Sequence, residues 1–201
     1  DVVFQIGTAK YGVRDEDGGL SDDKLREVAA HENIRMFEVK LAQGAKPGKG
    51  GILPAEKVTA EIAKIRGIRA GEASISPNRH PEVSNTEELL DFINHVRDVT
   101  GKPVGIKTVV SDDGPLREFF QLIKERGDEF APDFITVDSG DGGTGASPMP
   151  LMDLVGVTIR ESLPMVSDLL TEYDLRDRVR LISSGKLMVP GDVAWAIAAG
   201  A

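Results

Sequence analysis

Short apolar segments alternate with amphipathic helical segments along most of this 201-residue chain. From Met36 onward, one apolar and one helical segment together take roughly thirty residues, the size of a βα crossover unit. The apolar segments are rich in β-branched and aromatic residues, which favours strands. The pattern predicts six strands, at residues 2–6, 36–42, 73–76, 104–110, 134–137 and 179–182. It predicts helices at residues 54–66, 85–99, 116–126, 162–170 and 192–199.

Two architectures fit this alternation: a doubly wound parallel sheet and a (β/α)₈ TIM barrel. Continuously apolar strands, such as the one that begins at Val104, are typical of a buried parallel sheet. A barrel needs eight strands and about 250 residues. The barrel interpretation therefore predicts an incomplete barrel with about six of its eight strands. It also predicts one domain over residues 1–201, truncated at one or both ends.

The net charge and the absence of cysteine exclude several functions. A formal charge of −9 argues against bulk binding to nucleic acid or to an anionic membrane, so an anionic ligand would need a local basic pocket. With no cysteine, these residues provide no thiolate nucleophile, Cys-ligated zinc or iron–sulfur ligand. No apolar stretch approaches the roughly 20 residues of a membrane span. We expect a cytoplasmic enzyme that acts on a small molecule.

Two lysines stand inside otherwise apolar strands. Lys40 and Lys107 each bring a charge into a predicted strand, and burying an unpaired ammonium costs several kcal/mol. One interpretation is a structural ion pair, for example with Glu38 or Asp138. The other is that a lysine in the barrel lumen meets an anionic ligand, and two such lysines on different strands favour it.

Further candidates follow the ends of other predicted strands. The glycine-rich run 140–145 offers backbone N–H groups to a ligand, or is a turn. In or beside this run, Asp138 and Asp141 are candidate acid/base groups or turn residues. Gly185 precedes a predicted helix and suits a phosphate, or belongs to an ordinary βα loop. Of the three histidines, His80 is the site candidate because it follows a strand end.

Two long motifs resemble the signature of the FMN domain of glutamate synthases. They are EVKLAQGAKPG at 38–48 with GGILP at 50–54, and DGGTGASP at 141–148. Weaker matches are residues 75–77 with His80, residues 106–107, and residues 185–187 with 192–193. The matches fall in the family's order over residues 37–195, so the resemblance covers most of the chain.

The resemblance implies a (β/α)₈ barrel that holds FMN. The family adds ammonia to 2-oxoglutarate and then reduces 2-iminoglutarate to L-glutamate by hydride transfer from reduced flavin. It implies that Lys40 and Lys107 are catalytic, with Lys107 beside the flavin ring. Substrate-binding residues would be Lys40, Gln43, Lys46 and His80. Cofactor-binding residues would be Lys107, Asp141, Gly142, Gly143, Thr144 and Gly185.

The chain also departs from the family pattern. Gly140 stands where the family usually has His, and Ser184-Gly185-Lys186 stands where it usually has Asp-Gly-Gln. A full synthase adds a glutaminase domain and an iron–sulfur cluster, whose cysteines are absent here. Its electron donor would be reduced ferredoxin or an NAD(P)H-linked subunit. We therefore predict that this chain alone retains FMN weakly or not at all.

Two other functions remain open at this point. The chain could be another FMN-dependent barrel oxidoreductase or isomerase that acts on a different substrate. It could also be a non-catalytic barrel used for binding or assembly, although Lys40, Gln43, Lys46 and Lys107 argue against that.

Overall fold

The strands of the main sheet lie side by side in the order in which they occur along the chain. The structure is a computed structural model that describes residues 1–47, 50–141, 147–152 and 154–201. Within these residues the strands are β1 (Val2–Ile6), β2 (Ile34–Lys40), β3 (Ile52–Leu53), β4 (Ser74–Ile75), β5 (Val104–Val109), β6 (Phe134–Asp138) and β7 (Arg180–Ser184). Five of them form one sheet in the order β1-β2-β5-β6-β7, and every neighbouring pair is parallel.

The strand order distinguishes between the two predicted architectures. A doubly wound sheet reverses its strand order at a switch point, whereas a barrel adds each strand beside the previous one. The described strands show no reversal. The sheet is open, because neither β1 nor β7 has a second neighbour among the described strands. The predicted class is confirmed as an α/β fold with a parallel sheet, wound like an open part of a (β/α)₈ barrel.

The helices connect these strands and pack against one another in sequence. They are α1 (Asp22–Ala29), α2 (Ala60–Arg66), α3 (Thr86–Thr100), α4 (Gly114–Arg126), α5 (Ile159–Glu172) and α6 (Pro190–Ala198). Contacts join α1 to α3, α3 to α4 and α4 to α5, so that these four helices form a row beside the sheet. None of the helices in the described ranges is long and apolar enough to cross a membrane.

The two faces of the sheet differ in chemistry. Phe37 and Val39 of β2 are fully buried in the core, whereas Glu38 and Lys40 alternate with them and therefore point to the opposite face. The register places Lys40 opposite Lys107 of β5. The two lysines predicted to share a lumen thus lie side by side at the carboxyl ends of adjacent strands.

Two predicted elements differ from the structure. The strand predicted at 73–76 does not join the main sheet, because β4 pairs antiparallel with β3 in a separate two-stranded sheet. The main sheet therefore has five of the six predicted strands. The helix predicted at 54–66 is divided: a 3₁₀ turn, Ala55–Lys57, precedes α2, and the Thr59 hydroxyl accepts a hydrogen bond from the Ile62 N–H to start that helix.

Helix α3 agrees with its prediction. The Asn85 side chain accepts a hydrogen bond from the Glu88 N–H at 2.8 Å, so Asn85 is the N-cap. Gly101 ends the helix in the left-handed conformation, with φ of 64°. Helix α1 was not predicted. It is mostly polar, and Leu25 is its buried residue.

Candidate functional site

A cleft of about 310 Å³ lies at the carboxyl ends of β1 and β2. Its walls are the loops that follow these two strands, together with residues 50–51 and 76–78. Three of the residues predicted to bind substrate line it: Lys40, Gln43 and Lys46. A second cavity, of about 380 Å³, lies between β5, α3 and α4, and none of the predicted site residues lines it.

Lys40 lines this cleft with an ammonium group that has no anionic partner among the described residues. Its ammonium donates to Gln43 Oε1 at 3.2 Å, and no carboxylate of the described residues lies within 4.0 Å of it. Burial lowers the pKa of Lys40, and repulsion from Lys107 and Lys46 lowers it further, against the opposing effect of Asp138 and Glu38. An anion in the cleft would relieve this repulsion.

Lys107 forms a structural ion pair, which was one of the two interpretations that the sequence left open. Its ammonium lies 3.3 Å from Asp138 Oδ1. The Asp138 carboxylate also accepts from the Ser184 hydroxyl and from the Gly44 N–H, both at 2.8 Å. Asp138 therefore joins β5, β6, β7 and the loop after β2. Its carboxylate is thus occupied by three donors, which indicates a structural role and does not favour the acid/base role considered for it.

Glu38 lies beneath the lysines and is held by its own donors. Its carboxylate is 8% exposed and accepts from the Gln5 amide at 2.6 Å and from the Thr136 hydroxyl. Lys40, Lys46 and Lys107 thus face two carboxylates, those of Glu38 and Asp138, both already hydrogen-bonded. Asp141 adds a third carboxylate beyond the end of β6. The described residues that line the cleft, however, include Lys40 and Lys46 and no Asp or Glu, so the cleft itself fits an anionic ligand or cofactor.

Close backbone approach explains two glycines of this region. A Cβ on Gly44 would lie 1.7 Å from the carbonyl oxygen of Ser139, so only glycine allows the loop after β2 to pack on the end of β6. Gly185 has φ of 95°, and a Cβ there would lie 2.9 Å from Ser139 Cβ. Both contacts bring the loops that follow β2, β6 and β7 together above the sheet.

The segment between β7 and α6 limits where a phosphate could bind. The Asp192 carboxylate accepts from the N–H groups of Met188 and Val189, at 2.9 and 3.1 Å. These hydrogen bonds, with a further effect of Arg160, hold the pKa of Asp192 below its usual value. Because Asp192 occupies these amides, a phosphate would be left with the backbone around Gly185.

The remaining predicted cofactor residues are only partly described. The Asp141 carboxylate accepts from the Ser139 hydroxyl, whose oxygen accepts in turn from the Ile159 N–H at the start of α5. Gly142, Gly143 and Thr144 lie outside the described residues.

His80 is brought near Lys40 but not into the cleft. Its side chain is 2% exposed, and its Nε2 lies 3.0 Å from the backbone oxygen of Lys40. Burial lowers the pKa of His80, and the charge of Lys10 adds to the shift. Direct contact between His80 and substrate stays a prediction, since the contact seen here is to the backbone of Lys40.

Lys10 is a cleft residue that the sequence analysis missed. It follows β1, lines the cleft and is 1% exposed. Its ammonium lies 2.8 Å from Glu82 Oε1 and 3.0 Å from Oε2. The one available signal was its position shortly after β1. Its ion-pair partner, Glu82, lies far along the chain, so no local motif indicates that Lys10 is held in the cleft.

Comparison with known proteins extends over the whole chain. The family model described as a conserved region in glutamate synthase matches residues 1–201. The chain is 44% identical over 201 residues to the glutamate synthase large subunit-like protein YerD of Bacillus subtilis. It is 33% identical over 202 residues to an archaeal glutamate synthase [NADPH] of Methanocaldococcus jannaschii. It covers 38% and 36% of these two proteins, respectively.

Solved structures share the fold at low sequence identity. Two of them are flavocytochrome b2 variants, one with sulfite bound and one with benzoylformate. Their TM-scores are 0.55 and 0.56, at 16% and 17% identity. In each case the match covers 99% of this chain and 40% of the other. At this identity the likeness concerns the fold alone.

Proposed function

The chain belongs to the glutamate synthase family, and from this premise we propose that it forms part of an FMN-dependent oxidoreductase. The reaction proposed is reduction of 2-iminoglutarate, made from 2-oxoglutarate and ammonia, to L-glutamate. The observation that supports it is the cationic cleft, in which the half-buried Lys40 ammonium has an amide but no carboxylate as its partner among the described residues. The proposal keeps the cytoplasmic location expected from the sequence.

The substrate would be held by charge on two sides of the cleft. A 2-oxoglutarate molecule carries two carboxylates, and Lys40 and Lys46 bring two ammonium groups to the same cavity. Gln43 orients Lys40 through the 3.2 Å hydrogen bond. Charge-assisted hydrogen bonds in a partly desolvated site are stronger than neutral ones, which favours a dianion over a neutral or monoanionic molecule.

The cofactor proposed is FMN, and this chain's residues fit an anionic group. When bound, the reduced flavin would supply a hydride to the imine carbon, while a proton goes to the nitrogen. Lys107 would bring positive charge close to the ring, and Gly185 would approach the phosphate through its backbone. Asp141, Gly142, Gly143 and Thr144 complete the proposed cofactor set. These side chains orient the reactants and stabilise charge.

The electron supply belongs to the whole protein and is also a proposal. Two relatives are named for NADPH and for ferredoxin, respectively. Reduced ferredoxin or an NAD(P)H-linked subunit is proposed as the donor here. An iron–sulfur cluster would belong to residues outside this chain, because the chain has no cysteine.

A second candidate is an FMN-dependent enzyme of the same fold with a different substrate. The departures at Gly140 and at Ser184-Gly185-Lys186 favour it, because they fall beside the proposed cofactor site. Ser184 also takes part in the hydrogen bonding of this region, because its hydroxyl donates to Asp138 at 2.8 Å.

The test is glutamate formation by the full-length protein. With 2-oxoglutarate, ammonium and a chemically reduced viologen as donor, we expect L-glutamate to form. Lys40→Met is expected to lower kcat/KM for 2-oxoglutarate about 10- to 100-fold, because a charge-assisted contact is lost. Lys64→Met, on the exposed face of α2, is the matched control and should leave the rate unchanged.

Absence of glutamate from a flavin-containing preparation would contradict the proposal. Turnover of a 2-hydroxy acid or an isoprenoid diphosphate by the same preparation would support the second candidate.

A further inference from the structure

The backbone of Lys40 is held from both sides where β2 ends. On one side, the N–H of Leu41 donates to the Lys107 carbonyl at 2.9 Å. On the other, the ladder with β1 has its last register pair at Ile6 and Val39, so the Lys40 carbonyl lies just beyond it. That carbonyl meets His80 Nε2 at 3.0 Å. The imidazole thus takes the place that a further residue of β1 would have.

The hydrogen bond fixes the tautomer of His80. A carbonyl oxygen can only accept, so Nε2 carries the hydrogen and donates it. The ring is 2% exposed and packs against Phe92, with ring centroids 5.3 Å apart. Its Nδ1 is buried and has no partner among the described residues. Burial is the main cause that lowers the pKa of His80 and disfavours a second proton on the ring; Lys10 acts in the same direction, and the hydrogen bond to Lys40 and the charge of Glu82 oppose it.

We propose that His80 is a positioning residue that fixes the backbone of Lys40 and thereby directs the Lys40 ammonium into the cleft. Two observations carry this inference. His80 is closed off from the cleft, and its hydrogen bond is made to the residue whose side chain enters it. Only the identity of the anion that Lys40 meets rests on the proposed function.

Two variants that differ in reach separate positioning from general stability. The amide nitrogen of Gln lies about where Nε2 lies in histidine, whereas that of Asn is too short to reach the Lys40 carbonyl. His80→Gln therefore keeps a donor for Lys40, and His80→Asn does not, although both are uncharged and polar. Both are made in the full-length protein, and their unfolding temperatures are measured beside the wild type.

The first readout is binding of glutarate, a dicarboxylate with no keto group, by isothermal titration calorimetry. His80→Asn is expected to weaken binding about tenfold or more, the loss of roughly one hydrogen bond. His80→Gln is expected to stay within about threefold of the wild type. Equal affinities of the Asn variant and the wild type would overturn the proposal, and so would an equal loss in both variants.

The second readout does not depend on the ligand. The pH dependence of Lys40 acetylation, followed by mass spectrometry, reports the pKa of Lys40. Burial is the main cause of its lowered value, so an ammonium released by His80→Asn should regain a higher pKa, while His80→Gln should not change it. A wild type that binds no glutarate counts against the proposed function, whereas an unchanged Lys40 pKa in His80→Asn counts against the positioning role.

Discussion

Three lysines converge on one end of the sheet of a chain that is strongly acidic as a whole. Lys40 and Lys107 come from adjacent strands in register, and Lys46 from the loop after β2. The carboxylates beneath them, Glu38 and Asp138, are held by other donors as well. Because no Asp or Glu is among the described residues that line the cleft, Lys40 and Lys46 give it a local positive field that the overall charge of −9 does not reveal.

This field has a consequence for the pH dependence of anion binding. Binding favours the charged form of Lys40, and the pKa of Lys40 is lowered in the free protein. As pH rises, affinity for a dicarboxylate should therefore fall through a midpoint below the usual lysine value of 10.5. Glutarate affinity in the full-length protein, measured as a function of pH, gives this midpoint.

Lys107→Met provides the check on the cause. Removing the repelling charge should move the midpoint upward, even though the absolute affinity falls. A midpoint that stays in place would mean that Lys107 does not contribute to the shift, leaving burial and Lys46 as its causes.

At the scale of elements, capping residues decide where helices begin. The Asn85 side chain caps α3, while no hydrogen bond of the Ser84 hydroxyl is found in the described structure. Asn85→Ala should destabilise the first turn by about 1 kcal/mol, which raises amide exchange there roughly fivefold. Hydrogen exchange with mass spectrometry on the full-length protein measures this locally.

Ser84→Ala is the matched control for the cap. It keeps the backbone N–H that donates to Glu88 and should leave exchange in α3 unchanged. An equal increase in both variants would assign the cap to neither residue alone.

The sequence predicted most elements of this fold, and the exceptions have physical reasons. Strands β5 and β6 were recognisable because each contains consecutive residues that are buried on both faces, which produces a continuous apolar run. The segment 73–76 was also predicted as a strand, but its partner is the short strand Ile52–Leu53, and no local pattern specifies that pairing. Helix α1 was missed although Leu25, Val28 and Ala29 form an apolar stripe at helical spacing, because the helix is only eight residues long and mostly polar.

The site was predictable to a similar degree. Lys40, Gln43 and Lys46 were predicted because motif and strand-end position agree, and the structure brings them into one cleft, while their binding of substrate stays a prediction. Lys10 was missed, and the hydrogen bond of His80 to a backbone oxygen was not foreseen. Both depend on contacts between residues far apart along the chain, which no spacing rule contains.

At the scale of the whole molecule, the open sheet limits cofactor binding. The five described strands supply only part of the ring of loops that would surround a flavin, and a barrel has eight. We therefore expect these 201 residues, expressed alone, to purify with little or no FMN, and the full-length protein to purify yellow. Absorbance near 450 nm per mole of protein decides this, and stoichiometric flavin in the isolated chain would contradict it.

The consecutive strand order also bears on how the chain assembles during synthesis. Each of β2, β6 and β7 pairs with the main-sheet strand made just before it, so its template is complete when it emerges from the ribosome. Strand β5 also pairs with the main-sheet strand made just before it, β2, but after a longer delay, because this connection is the longest and contains the β3–β4 ribbon, α2 and α3. That delay also spans the segment that supplies His80 and Glu82. The connection that delays β5 therefore also supplies part of the cleft, and we expect the slow steps of folding to involve this segment.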